Sequence, residues 1–242
     1  MKKRLLSMGL VLALAAGSIA ACGSNSDNGK EGATLTVLNY GKYIDEDAVK
    51  QFEKETGIKV KYEEYESPEE MYTKYKAGSI DYDVICSSEY MVEKLINEGE
   101  VLQMDYAGME NYKNLDPTII DMSSAYDKDH NYSLPYFYGT LGLLYNKTEV
   151  DPSVVKSWDC LWDPTYEDEI IMENSVRDTF APALIDLGYS LNETDETHLR
   201  EALDVLKKQK DDKIVYGYYV DETADAMIGE EALIALCYSG EA

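Results

Sequence analysis

From residue 34 onward the apolar positions of the chain alternate between two periods. "TLTVLN" (34–39) reads as a strand, and "DEDAVKQFEKETG" (45–57) follows with apolar residues three and four apart. Ala48, Val49 and Phe52 share one face of that predicted helix, and Gly57 supplies its stop. "IKVKYEEY" (58–65) returns to a period of two, with one side wet. Ser67 and Pro68 then open a second helix as its cap and first helical residue, running to near Gly78. "YDVIC" is a short buried strand, and "SEYMVEKLINEG" a helix closing at Gly99. This β-α-β-α-β-α order predicts an α/β fold with a largely parallel sheet and right-handed crossovers. Ligands of such sheets sit beyond the carboxyl ends of the strands, where residues 39–43 and 87–90 fall.

The second half repeats the alternation after an interruption. "DKDHNYSLPYFYGTLGLLYNK" (127–147) is extended and aromatic-rich around Pro135 and Gly139, as expected of paired strands or a crossover between lobes. "VKSWDCLWDPTYED" is a compact turn region in which Trp158 and Trp162 are expected to pack the second lobe. A strand ("EIIM"), two helices ("VRDTFAPALIDLGYS", "DETHLREALDVLKKQK"), a strand ("KIVYGYY"), a short helix ("DETADAMIGE") and a last apolar strand ("EALIALCYSGEA") complete it.

The first residues give an address. Lys2, Lys3 and Arg4 precede the apolar run "LLSMGLVLALAAG", which is short for a membrane span and reads as an export signal over residues 1–21. "SIAAC" resembles a lipobox, so Cys22 is expected to be lipidated, in preference to ordinary cleavage leaving a free thiol. Residues 22–33, "CGSNSDNGKEGA", then form a flexible tether. Composition sharpens this picture. Acidic residues number 47 against 22 basic ones, a net charge of −25. Loss of the signal removes three cations and no acids, leaving −28. Such a surface repels nucleic acid and attracts cations, although much of the excess serves solubility. Cys86, Cys160 and Cys237 are widely spaced and set among apolar residues, so they read as core residues rather than a disulfide framework or metal site.

Twenty-one tyrosines against three phenylalanines is an unusual ratio. Tyr40, Tyr43, Tyr90 and Tyr238 fall at predicted strand ends facing one cleft, and aromatic faces attract a cation by about 0.5–2 kcal/mol each. A desolvated ammonium also needs a carboxylate, which Asp178, Glu89 or Glu241 are placed to supply. No nucleophile elbow, zinc-binding pair or phosphate-cradling loop occurs, and His130 and His198 fall in polar surroundings, so no catalytic residue, metal or cofactor is expected.

Several phrases together resemble the spermidine/putrescine-binding proteins of bacterial polyamine ABC importers: "FEKETGIKVKYEEYES", "MYTKYKAGSIDYDVICSSEYMVEKL", "NYSLPYFYGTLGLLYN", "SWDCLWDP" and "YSGEA". The resemblance implies a bilobal, periplasmic-binding-protein-like (type II) fold that closes around a linear polycation. It places a first lobe over 34–138, a second over 139–242 and a hinge near Tyr136–Gly142. Matched residue by residue, it implies ligand-binding roles for Tyr40, Tyr43, Ser88, Tyr90, Asp178 and Tyr238. Three positions are less settled. Lys42 replaces an acid of the family pattern and is expected either to reach solvent or an acid such as Asp45, or to occupy the place of one ligand amine. Ser175 stands where the family often has an Asp, and Glu89 lies within "CSSEY". The family continues beyond "SGEA", so the chain is expected to be a fragment. The partners implied are a polyamine or related organic cation, the permease subunits of an ABC importer and a membrane reached through the lipid anchor, on the extracytoplasmic face. Two alternatives are the same scaffold holding an amino-group acid or a metal complex, and a surface sensor lipoprotein without transport.

Overall fold

The computed structural model describes residues 32–242. The signal segment, Cys22 and the tether up to residue 31 lie outside the described residues.

Three parallel strands form the first sheet: β1 (Thr34–Tyr40), β2 (Lys59–Tyr65) and β3 (Val84–Ile85), in the order β2-β1-β3. Helices α1 (Glu46–Thr56), α2 (Pro68–Lys76) and α3 (Glu89–Glu98) alternate with them. Their ends follow the sequence signals. Asp45 caps α1 by accepting from Asp47 N (2.8 Å), and Gly57 ends it at φ 71°. Ser67 accepts from Glu70 N (3.2 Å), with Pro68 at the first helical position. Leu38, Tyr65, Met71, Met91 and Leu95 form the buried centre of this sheet's core. The apolar face of α1 is little covered: none of its residues is buried, Ala48 and Phe52 are exposed, and Val49 is half-buried. The helix is held largely by polar contacts instead, since Glu53 accepts from Val60 N (2.8 Å) and Lys59 Nζ (3.1 Å) on β2.

Helix α4 (Pro117–Ser123) leads into a loop organised by Asp127. Its buried carboxylate accepts from the backbone N of Asn131, Tyr132 and Ser133 and from Ser133 Oγ, at 2.8–3.0 Å. His130 is half-buried rather than solvated, with Nδ1 3.0 Å from Ser123 Oγ.

The second sheet holds β4 (Leu141–Tyr145), β5 (Ile170–Glu173), β6 (Val215–Tyr219) and β7 (Ile234–Tyr238) in the order β4-β7-β5-β6. β5 runs parallel to β6 and β7; β4 is antiparallel to β7. Helices α5 (Val176–Asp186), α6 (Glu196–Asp211) and α7 (Thr223–Ile228) complete this half. Its core centres on Leu161, Ile170, Met172, Leu184, Ile214 and Leu236. The turn region folds as three 3-10 turns, and Trp158 and Trp162 pack against that core. Cys160 and Cys237 are buried and Cys86 half-buried, all three as free thiols.

Residues 136–140 carry the chain from one sheet to the other. The Tyr136 hydroxyl donates to Tyr43 O (2.5 Å), while Ser239 N donates to Thr140 O (2.8 Å) and Thr140 N to Ser239 Oγ (3.2 Å). The carboxyl ends of β1 and β6 thereby come within contact of each other, as the close approach of Gly41 to Asp221 records.

Candidate ligand-binding cleft

The wall from the first sheet is built on the end of β1. Tyr40 is buried, its ring between those of Tyr43 (centroids 4.9 Å apart) and Tyr65 (4.5 Å), and its hydroxyl is 2.8 Å from Ser88 Oγ. The Tyr40 ring therefore braces Tyr43 rather than lying open. Tyr43 is half-buried and meets Phe137 edge-on at 5.8 Å. Burial, with help from Glu241 and Glu173, pushes its phenol up to about 12. Tyr65 donates to Cys86 O (2.6 Å), so the ends of β1, β2 and β3 are tied into one aromatic block.

Gly41 explains the tightness of the turn that follows. A Cβ there would stand 2.6 Å from Asp221 Oδ2, so a side chain at this position would have to displace the Asp221 carboxylate. Lys42 Nζ lies 2.5 Å from Asp221 O and 3.6 Å from Asp225 Oδ2. Its partners are thus on the β6–α7 turn of the other sheet, not Asp45. The exposed stem follows from this position at the rim.

Opposite stands the start of α5. Ser175 is buried and caps this helix, 3.4 Å from Asp178 N. Asp178 Oδ2 accepts from the Tyr238 hydroxyl at 2.6 Å, and burial followed by the Asp178 charge holds that phenol far above its ordinary range. Tyr90 donates to Glu69 (2.9 Å), and the guanidinium of Arg177 lies over its ring at 5.9 Å. Arg177 Nε is also 3.8 Å from the exposed Glu89. A residue of this chain already occupies the cation–π position on Tyr90, and Glu89 is its counter-ion.

The structure brings Tyr40, Tyr43, Ser88, Asp178 and Tyr238 together, with Ser175 behind them and Lys42, Glu89 and Tyr90 at places where the two sides touch. Two acids that the sequence reading passed over join them. Glu173 closes β5 and is 1 % exposed, yet neither carboxylate oxygen has a hydrogen-bond partner among the described residues. Burial first, then Asp178, Glu241 and Asp221, push its carboxyl up to about 9. Asp221 follows β6 and is also raised by burial, with Oδ1 buried and unpartnered. Glu241, beyond β7, is raised by burial and then by Asp221. Four acids on the ends of three parallel strands and one helix thus face an aromatic wall. The signal for Glu173 was present in "EIIMEN", where an acid ends a strictly apolar run at the ligand end of a strand. Among the described residues, no group of three His, Cys, Asp or Glu side chains converges as metal ligands. Aromatic faces beside partly buried acids suit an organic cation.

The chain is similar to several known proteins. The chain is 34% identical over 232 residues to the spermidine/putrescine-binding periplasmic protein of Salmonella typhimurium, covering 95% of this chain and 65% of that protein. The solved spermidine/putrescine ABC transporter substrate-binding protein PotD of Streptococcus pneumoniae superposes with a TM-score of 0.64 at 37% identity, over 86% of this chain and 63% of that one. The TpPotD lipoprotein of Treponema pallidum shares the fold, with a TM-score of 0.75 at 24% identity over 86% of this chain and 64% of its own. The chain therefore spans slightly under two thirds of the length of these relatives. Residues 47–242, the greater part of both sheets and of the acid-lined cleft between them, match the profile of one family, and the chain belongs to it: the bacterial extracellular solute-binding proteins.

Proposed function

We propose that the protein is an extracytoplasmic receptor for a polyamine such as spermidine or putrescine, which it passes to the permease of an ABC importer. The observation that carries this reading is the meeting of Tyr43, Tyr238 and Asp178 with Glu173, Asp221 and Glu241 at facing sheet ends. The names of the Salmonella and Streptococcus relatives support the ligand class. On this reading no bond is made or broken. The residues up to 138 and from 139 onward act as two lobes, and Tyr43, Ser88, Asp178 and Tyr238 receive the ligand, with Tyr40, Ser175 and Tyr90 supporting them. Cys22 carries the lipid that keeps the receptor at the membrane surface. An amino-group acid has less support, because both cations at the rim, Lys42 and Arg177, are already engaged by acids or carbonyls of this chain.

A thermal-shift screen of polyamines, amino acids and metal ions tests the proposal. At a hundredfold excess over Kd, ligand binding stabilises the native state by about 2.7 kcal/mol. Spermidine or putrescine is expected to raise Tm while neutral N-acetylated analogues do not. A protein stabilised by amino acids and not by polyamines would overturn the reading.

A further inference from the structure

Glu173 has no structural reason to be an acid. Its neighbours along β5, Ile170, Ile171 and Met172, are fully buried and apolar, and its own side chain is as buried as theirs. An acid in a strand interior normally has hydrogen-bond partners, and an unmet one is costly. Here both oxygens lack any partner among the described residues. The carboxyl sits at the carboxyl end of β5, two residues before Ser175 and five before Asp178. Its charge is felt by Tyr43 on the opposite wall, by Tyr238 and by Cys237 on β7. Three further acids on three different elements add to the rise of its carboxyl: Asp178 on α5, Glu241 after β7 and Asp221 after β6. The two cations at the rim, Lys42 and Arg177, are engaged by the Asp221 carbonyl and Asp225 and by Glu89 and Asn192.

Resting on the polyamine reading, we propose that Glu173 is a proton-exchanging subsite: it is a neutral acid in the empty cleft and becomes the carboxylate partner of a ligand ammonium, releasing its proton to solvent as the ligand enters. The exchange balances. The carboxyl O–H bond breaks, the proton goes to buffer, and the ammonium keeps all three of its own protons, donating one or more to the freed oxygens. No covalent bond to the ligand forms. A fully buried carboxylate with three half-buried acids near it and no counter-charge of its own favours its neutral form, which is why Glu173 holds a proton until a cation arrives. With the Glu173 carboxyl pushed up to about 9, nearly every molecule carries that proton at neutral pH. Selectivity follows from the exchange, because a neutral amide or alcohol of the same shape offers no charge to draw the proton off.

The test is calorimetry of putrescine binding to the full-length protein at pH 7 in two buffers of different ionisation enthalpy. The wild type is expected to release about one proton per putrescine, and its affinity to rise about tenfold per pH unit between pH 6.5 and 7.5. Glu173→Gln keeps the size of the side chain and should abolish most of that release and flatten the pH slope. An infrared difference spectrum gives a second readout: a protonated-carboxyl band should vanish on adding putrescine to the wild type, and the change should be missing in Glu173→Gln. Putrescine binding without proton release in the wild type overturns this inference and leaves the polyamine reading intact. Release that persists in Glu173→Gln assigns the proton to another acid and also overturns it. Failure of both putrescine and spermidine to bind overturns the two together. If Glu173→Gln did not fold, the wild-type proton count and carboxyl band would decide the matter.

Discussion

Asp178 combines two duties that usually belong to different residues. One carboxylate oxygen accepts from the Tyr238 hydroxyl, fixing the ring that lines the second wall, and the acid stays half-buried at the cleft. If it receives a ligand ammonium, Asp178→Asn should cost about 2–5 kcal/mol of spermidine affinity by calorimetry, as for a buried charge pair losing one member. An affinity unchanged within twofold would remove Asp178 from the site. Lys42 should behave differently. Its ammonium is largely exposed and meets Asp221 O and Asp225, and exposed pairs contribute at most about 1 kcal/mol. Lys42→Met is therefore expected to change spermidine affinity by less than about fivefold. A larger gain would mean that the lysine competes with a ligand amine after all. Tyr40, Tyr43 and Asp178 were legible in the chain because strand-end position and the matched motif each pointed to them. The partners of Lys42 were not, since the β6–α7 turn reaches β1 only through tertiary packing.

Among the elements, α5 is where cap chemistry and the cleft coincide. Ser175 stands where an acid was looked for, and its hydroxyl instead serves the first turn of the helix that positions Asp178. Ser175→Ala should lower stability by about 1 kcal/mol, measured by chemical denaturation, and weaken ligand binding only through Asp178. Stability unchanged by Ser175→Ala would show that the cap contributes nothing. The periodicity of the sequence located the helices and strands of both sheets, because each carries either a cap, a glycine stop or a clean apolar run, but it passed over α4 between them. It also placed Ala48, Val49 and Phe52 on one face of α1, a face that stays largely exposed in the fold. An amphipathic period records which side is apolar, and says nothing about whether another element covers it. Glu173 was overlooked for a related reason. Its importance depends on Asp221 and Glu241, which arrive at the same place from the ends of two other strands.

For the molecule as a whole, a net charge of −25 and a raised buried acid act on stability in the same direction. In the unfolded chain Glu173 ionises near the ordinary glutamate value, whereas in the fold it holds its proton up to about 9. Within that window the folded state binds the extra proton, so its contribution to stability declines as pH rises, by up to about 1.4 kcal/mol per pH unit. Thermal melts of the ligand-free protein at pH 6 and 8 should show a lower Tm at pH 8, with a smaller difference in Glu173→Gln. Equal differences in the two proteins would show that the carboxyl titrates alike folded and unfolded. Anchoring is a separate matter. Cys22→Ala should move the protein from the membrane fraction to the soluble one, and a wild type found wholly soluble would dispose of the anchor.

The short crossing at residues 136–140 has a further consequence. One end is fastened to the first sheet by the Tyr136 hydroxyl on Tyr43 O, the other to the second by Thr140 and Ser239. Residues 137–139 alone lie between these fastenings, and three extended residues reach about 10 Å. A leash of that length keeps the two walls at a millimolar or greater effective concentration of each other, whatever the concentration of the protein. Pairs as weak as Lys42–Asp225 and Arg177–Glu89 then form as intramolecular events, without any affinity that would let the separated halves find one another.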